Sequence, residues 1–154
     1  MFGPEFESKV DEILKRYPEP RAALLPVLWE MQREKGWIDA ECEDWAARRL
    51  DVSSAHVHGC VTFYTMYKQR PMGRYHIQIC TTLSCMLRGC DNLQEHLEKK
   101  LRIKPGQVTP DGKFSLVQVE CLGSCGTAPM FQLNDDYHED LTIEKIDTLL
   151  DGLP

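Results

Sequence analysis

The chain has 154 residues, of which 42% are hydrophobic and 27% charged, so it is long enough to bury a core and too apolar to be disordered throughout. Its formal net charge is −6, which argues against nucleic acid or anionic lipid as the main partner. No apolar run approaches the roughly 18 residues of a membrane span, and residues 1–9 lack the apolar segment of a secretory signal, so we expect neither membrane insertion nor export.

The first part of the chain, up to about residue 70, shows the apolar periodicity of helices. Phe6 and Val10 fall on one face of a first helix, and a second helix is expected to begin near Arg21. Four helices are predicted in all. Pro18 and Pro20 end the first, Gly36 ends the second, Asp39 caps the third, and Ser53 or Ser54 caps the fourth. We expect Gly59 to interrupt the fourth helix, while the aromatic stretch Val61–Tyr67 fits either a helix or a strand.

The segment Pro71-Met72-Gly73 breaks this pattern and predicts a domain boundary. It divides the chain into an N-terminal helical domain, residues 1–72, and a second domain, residues 73–154. Apolar and polar residues then alternate from Tyr75 to Cys80, which predicts a strand. Two further helices are predicted, one over Cys90–Leu101 and one capped by Thr142. Two further strands are predicted over Phe114–Cys121 and Met130–Leu133, and a polar loop over Asn134–Asp140. The fold class is therefore α+β.

Seven cysteines carry most of the functional information, and five of them lie between residues 80 and 125. In a chain without an export signal, cysteines at this density indicate metal binding or redox chemistry rather than a disulfide framework. Cys80 ends one predicted strand and Cys85 follows it as C-x4-C. Cys121 ends another strand and Cys125 follows it as C-x3-C. Two thiol pairs at strand ends predict one metal centre.

The spacing alone leaves the nature of that centre open. Four thiolates bind a [2Fe–2S] cluster or a structural zinc ion, and redox-active thiols are a third interpretation. The pair Cys85 and Cys90 is also C-x4-C, so the spacing does not settle which of the two is a ligand. Two all-cysteine clusters need eight thiolates, so seven cysteines allow at most one. Cys42, Cys60 and Cys90 are otherwise expected to be small buried apolar residues.

The sequence shows no nucleotide-binding glycine motif and no Ser/His/Asp arrangement for nucleophilic catalysis. A single [2Fe–2S] cluster carries one electron, so a group that splits an electron pair, such as a flavin, is expected in a partner. The chain is then an electron relay without a substrate site of its own. The isomer of the Ala128–Pro129 peptide bond is left open by the sequence.

Two cysteine segments and two helical segments resemble the small [2Fe–2S] subunit of NADH:quinone oxidoreductase, respiratory complex I. The cysteine segments carry the most specific motifs: Glu120-Cys121-Leu122-Gly123-Ser124-Cys125-Gly126-Thr127-Ala128-Pro129 and Ile77-Gln78-Ile79-Cys80-Thr81-Thr82-Leu83-Ser84-Cys85-Met86-Leu87-Arg88-Gly89. The helical segments are Gly59–Tyr67 and Leu25–Ile38. The resemblance extends over about Arg21–Leu150, and the chain departs from it in having cysteine at positions 60 and 90.

The resemblance implies an N-terminal helical bundle followed by a thioredoxin-like domain that carries one [2Fe–2S] cluster. It implies Cys80, Cys85, Cys121 and Cys125 as the ligands, and it removes Cys90 from the set. It also implies a flavoprotein partner that binds FMN and NADH, further subunits of the complex I peripheral arm, and a place on the cytoplasmic side of a membrane-bound complex. The predicted function is one-electron transfer within the NADH dehydrogenase module.

Three alternatives remain beside this prediction. The equivalent subunit of an NAD-linked hydrogenase or formate dehydrogenase is expected to resemble this chain in the same segments. A structural zinc module with four cysteine ligands belongs to a different functional class and does no redox chemistry. A free-standing ferredoxin differs from a subunit in exposing little apolar surface outside its cluster loops.

Overall fold

Helices form the first of the two units into which the chain divides. In the computed structural model, which describes residues 2–154, this unit ends at Pro71 and the second covers Met72–Pro154. The first unit contains a 3₁₀ turn at Pro20–Ala23 and four helices: α1 (Pro4–Leu14), α2 (Leu24–Lys35), α3 (Ala40–Leu50) and α4 (Ser54–Phe63). No helix among residues 2–154 is both long and apolar enough to cross a bilayer.

Capping side chains and an apolar core explain where the helices begin and how they pack. The Asp39 carboxylate accepts a 3.1 Å hydrogen bond from the Cys42 amide, and the Ser53 hydroxyl accepts one from His56 at 3.2 Å. These two residues therefore supply the partners that the first amides of α3 and α4 lack. The core between the helices includes the following buried residues: Val10, Leu28, Met31, Ala46, Leu50 and Val57.

Two expectations for the helical part are wrong in detail, and a third point that the sequence left open is resolved. The fourth helix continues through Gly59 as far as Phe63, because one glycine lowers helix stability without preventing the hydrogen bonds of its neighbours. The second helix begins at Leu24 rather than near Arg21, since the segment before it closes as a 3₁₀ turn. The stretch Val61–Tyr67 is helical only to Phe63 and is then irregular.

A five-stranded sheet organises the second unit. Its strands are β1 (Tyr75–Cys80), β2 (Gln107–Val108), β3 (Phe114–Val119), β4 (Phe131–Leu133) and β5 (Asp136–His138), in the spatial order β2-β3-β1-β4-β5. The pair β1–β3 is parallel and the other pairs are antiparallel. Three helices complete the unit: α5 (Leu83–Leu87), α6 (Cys90–Leu101) and α7 (Ile143–Asp151). The predicted α+β class is confirmed.

The core of the second unit lies between the sheet and its two longer helices. Its fully buried members come from three strands and from α6 and α7: Ile77, Leu116, Phe131, Leu97 and Ile146. Gly73 is required just before β1, because a Cβ atom at this position would lie 2.3 Å from the carbonyl carbon of Phe114. The glycine therefore permits the close approach of the chain just before β1 to the first residues of β3.

Four features of the second unit differ from the sequence prediction, the first being the two-residue strand β2, which was not predicted. The polar segment Asn134–Asp140 contains strand β5, which pairs with β4, so its prediction as a loop is wrong. Strand β3 ends at Val119, two residues before Cys121. The five-residue helix α5 was not predicted, since so short a segment has no measurable periodicity. The Ala128–Pro129 peptide bond is cis.

Candidate metal centre

The parallel pairing of β1 and β3 brings the two cysteine segments to one edge of the sheet. Cys80, the last residue of β1, lies opposite Val119, the last residue of β3. The Cys80 thiol donates a 3.4 Å hydrogen bond to the carbonyl of Glu120, which directly precedes Cys121. The chain leaving β1 and the chain leaving β3 therefore run side by side, as the strand-end positions of the cysteines predict.

The four cysteines differ in exposure. Cys80 and Cys85 are buried, with 4% and 2% of their surface accessible, while Cys121 and Cys125 are exposed. Cys85 lies in α5, and Cys125 begins a 3₁₀ turn, Cys125–Thr127, that lies against α5. Within residues 2–154 no three cysteine, histidine or acidic side chains stand close enough together to form a preassembled metal site. The structure thus brings Cys80 and Cys85 together and places the other two on the adjoining loop.

Backbone N–H groups are directed at the cysteine sulfurs. Burial by itself raises the pKa of the Cys80 thiol, but hydrogen bonds from the Thr82 and Leu122 amides and from the Cys85 thiol outweigh it, and the net pKa is lowered. Burial, together with the bond that it donates to Cys80, raises the pKa of Cys85. The amide of Gly123 donates to the Cys121 sulfur at 3.4 Å. The loops therefore favour a thiolate at Cys80 and offer donors to further thiolates.

Cys90 lies below this pair as a fully buried residue at the start of α6. It belongs to one apolar cluster with Cys80, Cys85, Ala128 and Met130. Burial, followed by the adjacent carboxylate of Asp91, raises the pKa of Cys90 to about 11. Among the remaining cysteines, Cys42 is buried in the helical core as expected. The expected burial of Cys60 is wrong, since Val57 and Val61 form the buried face of α4 and Cys60 packs against the core while partly exposed.

The segment after β4 contacts the loop that carries Cys121 and Cys125. The hydroxyl of Tyr137 donates a 2.7 Å hydrogen bond to the carbonyl of Leu122. The carboxylate of Glu139 accepts hydrogen bonds from the hydroxyls of Ser124 and Thr127. The sequence predicts residues 134–140 only as a polar loop, and no motif identifies Tyr137 or Glu139, because their partners are 15 or 12 residues away along the chain.

Comparison with known proteins identifies the family to which these loops belong. A sequence model of the thioredoxin-like [2Fe-2S] ferredoxins matches residues 10–154. The chain belongs to the thioredoxin-like [2Fe–2S] ferredoxin family. The predicted family is confirmed, and the cofactor of this ferredoxin family is an iron–sulfur cluster.

Relatives of this ferredoxin match it over nearly their whole length. An NADH-quinone oxidoreductase subunit from Rickettsia bellii is 44% identical over 149 residues, which cover 95% of this chain and 89% of the relative. An NADH-quinone oxidoreductase subunit from Thermus thermophilus is 45% identical over 155 residues, which cover 99% of this chain and 86% of the relative. The chain is thus similar to these proteins in length as well as in sequence.

A solved structure shows the same fold in a larger chain. The crystal structure of an NAD+-reducing [NiFe]-hydrogenase in the air-oxidized state matches 85% of this ferredoxin with a TM-score of 0.71 and 24% sequence identity. This ferredoxin spans only 24% of that hydrogenase chain. The match therefore establishes a shared fold for the module.

The residues at the strand ends fit a cluster with sulfur ligands. Thiolate is the protein ligand of [2Fe–2S] centres, and the four free cysteines of these two loops have the thiol groups that such ligation requires. The hydroxyl of Thr82 is buried beside Cys80 and favours the thiolate form of that cysteine. Among residues 2–154, however, no atom forms a hydrogen bond of regular geometry with this hydroxyl. Sulfide and thiolate acceptors would satisfy such a donor, and hydrogen bonds to sulfur of the kind that the amides beside Cys80 make are the interactions that tune a cluster.

Proposed function

We propose that this chain is the electron-transfer subunit of an NADH:quinone oxidoreductase and holds a single [2Fe–2S] cluster through Cys80, Cys85, Cys121 and Cys125. The observation that carries the proposal is the pair of cysteine segments meeting at one edge of the parallel strands β1 and β3. Two relatives named as subunits of NADH-quinone oxidoreductase, at 44% and 45% identity, support the choice of host.

The chain's own residues account for the properties that a relay needs. The bound cluster supplies one-electron redox chemistry between two charge states. The backbone amides of Thr82, Leu122 and Gly123 direct N–H groups at the cysteine sulfurs and stabilise added negative charge. Burial of Cys80 and Cys85 shields one side of the centre from water, while exposure of Cys121 and Cys125 leaves the other side open to a partner.

The partner that we propose is a flavoprotein subunit that binds NADH and FMN. Apolar side chains exposed next to Cys85 support a protein contact there: Leu83 is 62% exposed and Leu87 76% exposed. In the helical unit, Phe63 is 76% exposed and Met66 46% exposed, which provides a second apolar area. We assign the contacts of this second area to the flavoprotein, and we expect other subunits of the peripheral arm, on the cytoplasmic side, as further partners.

A related host is the second candidate. The fold shared with an NAD+-reducing hydrogenase, at a TM-score of 0.71, supports a module that serves either host. The two hosts differ in their electron donor and acceptor, since the hydrogenase passes electrons toward NAD+, while the one-electron relay proposed for this chain is the same in both. Copurification of a hydrogenase subunit instead of quinone-reductase subunits would favour this second candidate.

The experiment that tests the proposal is reduction of the purified chain, followed by visible and electron paramagnetic resonance spectroscopy. We expect iron–sulfur absorption bands, and a signal from one paramagnetic centre after addition of dithionite. Zinc has a filled d shell and gives neither result, so a colourless protein with bound zinc would contradict the proposal. We expect no reduction by NADH alone, because a one-electron centre does not accept a hydride. Stoichiometric reduction by NADH without flavoprotein would also contradict it.

A further inference from the structure

The segment from β5 to α7 holds the exposed cysteine loop at three points. The hydroxyl of Tyr137 donates to the Leu122 carbonyl at 2.7 Å, between Cys121 and Cys125. The carboxylate of Glu139 binds the turn that contains Cys125. The amide of Asp140 donates to the carbonyl of Thr127 at 2.8 Å. These contacts fasten both sides of a loop whose two cysteines are themselves exposed.

Glu139 makes the strongest of these contacts. A single carboxylate oxygen, Oε1, accepts hydrogen bonds from the Ser124 hydroxyl and, at 2.6 Å, from the Thr127 hydroxyl. The two hydroxyls also lie 2.6 Å apart. Hydrogen bonds to an ionised acceptor are about twice as strong as neutral ones. Since Ser124 and Thr127 bracket Cys125, the carboxylate determines the shape of the turn that presents this thiol.

We propose that Glu139 is a positioning residue for the cluster: it fixes the Ser124–Thr127 turn so that Cys125 is ready to bind, and its negative charge opposes reduction. This inference rests on the proposed function, since it assumes that Cys121 and Cys125 are cluster ligands. It has two separable parts, one about the order of the turn and one about electrostatics.

The electrostatic part follows from the charge of the centre. Two ferric ions, two sulfides and four thiolates sum to a charge of about −2, and one electron makes it about −3. A carboxylate bonded to the residues on both sides of Cys125 repels that added charge. Because Glu139 is exposed, water and salt weaken this repulsion without removing it.

The chain offers a matched control for the charge. Asp135 is another exposed acid of the same segment, in the turn between β4 and β5. The strand register places this turn at the far end of β1, since Leu133 lies opposite Ile77 while Phe131 lies opposite Ile79. Asp135→Asn therefore removes one negative charge at the end of the sheet away from Cys80.

The first test measures the reduction potential of the cluster in the full chain. We expect Glu139→Gln, which retains an amide oxygen as acceptor, to keep the turn and to raise the potential. We expect Asp135→Asn to raise it less. A Glu139→Gln potential equal to that of the unmodified chain, or a shift no larger than that of Asp135→Asn, would overturn the proposal.

The second test measures amide hydrogen exchange in the full chain without cluster, and so does not depend on cofactor assembly. We expect Glu139→Ala to accelerate exchange of the Thr127 amide, which donates to the Ser124 carbonyl at 3.2 Å, by roughly tenfold, the equivalent of one lost charge-assisted hydrogen bond. Thr127→Val, which retains the charge, should also accelerate exchange of this amide, whereas Glu139→Gln, which keeps a neutral acceptor, should accelerate it less than Glu139→Ala does. Unchanged exchange in Glu139→Ala would overturn the positioning role.

The two tests separate this inference from the proposed function. If the unmodified chain binds no iron, both the proposed function and the electrostatic part of this inference fail, because there is no cluster whose reduction potential could be measured. The exchange result is still obtained in that case and decides the positioning part alone. If the chain binds its cluster and both Glu139 variants behave as the unmodified chain does, only the inference about Glu139 fails.

Discussion

Cys80 lies opposite Val119 at the carboxyl ends of two parallel strands, and this register places two distant chain segments at one edge of the sheet. Residues 81–85 and 120–125 follow these strand ends directly. The site therefore depends on strand pairing for its coarse geometry and on short loops for its fine geometry. The following predictions address both levels, and the stability of the helical unit.

The first prediction concerns the ligands. We expect alanine at position 80, 85, 121 or 125 to abolish the cluster or to change its spectrum strongly, because each substitution removes one thiolate from a set of four. Iron content and electron paramagnetic resonance of the reduced protein measure the effect. Cys90→Ala is the matched control, since Cys90 is buried beside Cys80 and Cys85 but is not in the proposed set. Loss of the cluster in Cys90→Ala together with its retention in Cys85→Ala would reverse the assignment.

The second prediction concerns the hydrogen bond between Tyr67 and Leu25 in the helical unit. The buried hydroxyl of Tyr67 donates to the carbonyl of Leu25 at 2.8 Å, and burial raises the pKa of Tyr67 to about 12. Tyr67→Phe leaves this carbonyl without its donor, so we expect the free energy of unfolding to fall by about 1 kcal/mol. All three tryptophans lie in this unit, so their fluorescence during urea denaturation reports on it. The same change at exposed Tyr17 should have little effect, and equal losses at both positions would contradict the prediction.

The third prediction concerns acid stability. The Lys35 ammonium, helped by the amide of Cys42, lowers the pKa of Asp39 to about 2 from an ordinary value of 3.8. Because the folded state holds the lower pKa, the carboxylate stabilises the unit above about pH 4, and this contribution is lost as the pH falls toward 2. The side chain is 36% exposed, so solvent reduces the effect and we expect a modest slope.

Tryptophan fluorescence during denaturation between pH 5 and about pH 2 tests this slope. We expect Asp39→Asn to flatten it while keeping a capping oxygen for the Cys42 amide. Glu41→Gln removes a neighbouring exposed carboxylate from the same helix and serves as the control. An unchanged slope in Asp39→Asn would show that another group governs acid stability.

The fourth prediction separates the roles of the two units. The second unit has its own core and all four proposed ligands, so we expect a chain that begins at Met72 to assemble the cluster. Without the exposed apolar side chains around Phe63, the shortened chain should bind the flavoprotein partner at least tenfold more weakly, since buried apolar anchors dominate interfaces. Isothermal titration with the partner measures this affinity. Undiminished binding would remove the helical unit from the interface.

Much of the fold follows from local sequence patterns. Asp39 and Ser53 mark helix starts, and the alternation from Tyr75 to Cys80 marks a buried strand. Strand β5 does not follow from such patterns, because the exposed residues Asp136 and Tyr137 are held there by pairing with β4 and have no apolar alternation of their own. Tertiary contacts override local propensity at such a position.

The candidate site divides in the same way. The spacing of the cysteines predicts which loops carry them, and the general tendency of free cysteines to be buried predicts Cys90 as a core residue. The spacing does not distinguish the two C-x4-C pairs, and it does not reveal the contacts of Glu139, because hydroxyl and carboxylate partners leave no periodic signal. Only the folded arrangement brings Glu139 to Ser124 and Thr127.

Because of Gly73, an insertion near the boundary between the units is tolerated at some positions and not at others. Its missing side chain admits the backbone of Phe114, and the next residue, Arg74, already donates a 3.0 Å hydrogen bond to the carbonyl of Gly112. A fused tag, a reporter or an inserted spacer after Gly73 would push against the strand that leads to Cys80. The same addition made just before Pro71 leaves this packing intact. The peptide bond between Arg70 and Pro71 is therefore the preferred point for joining the second unit to another protein.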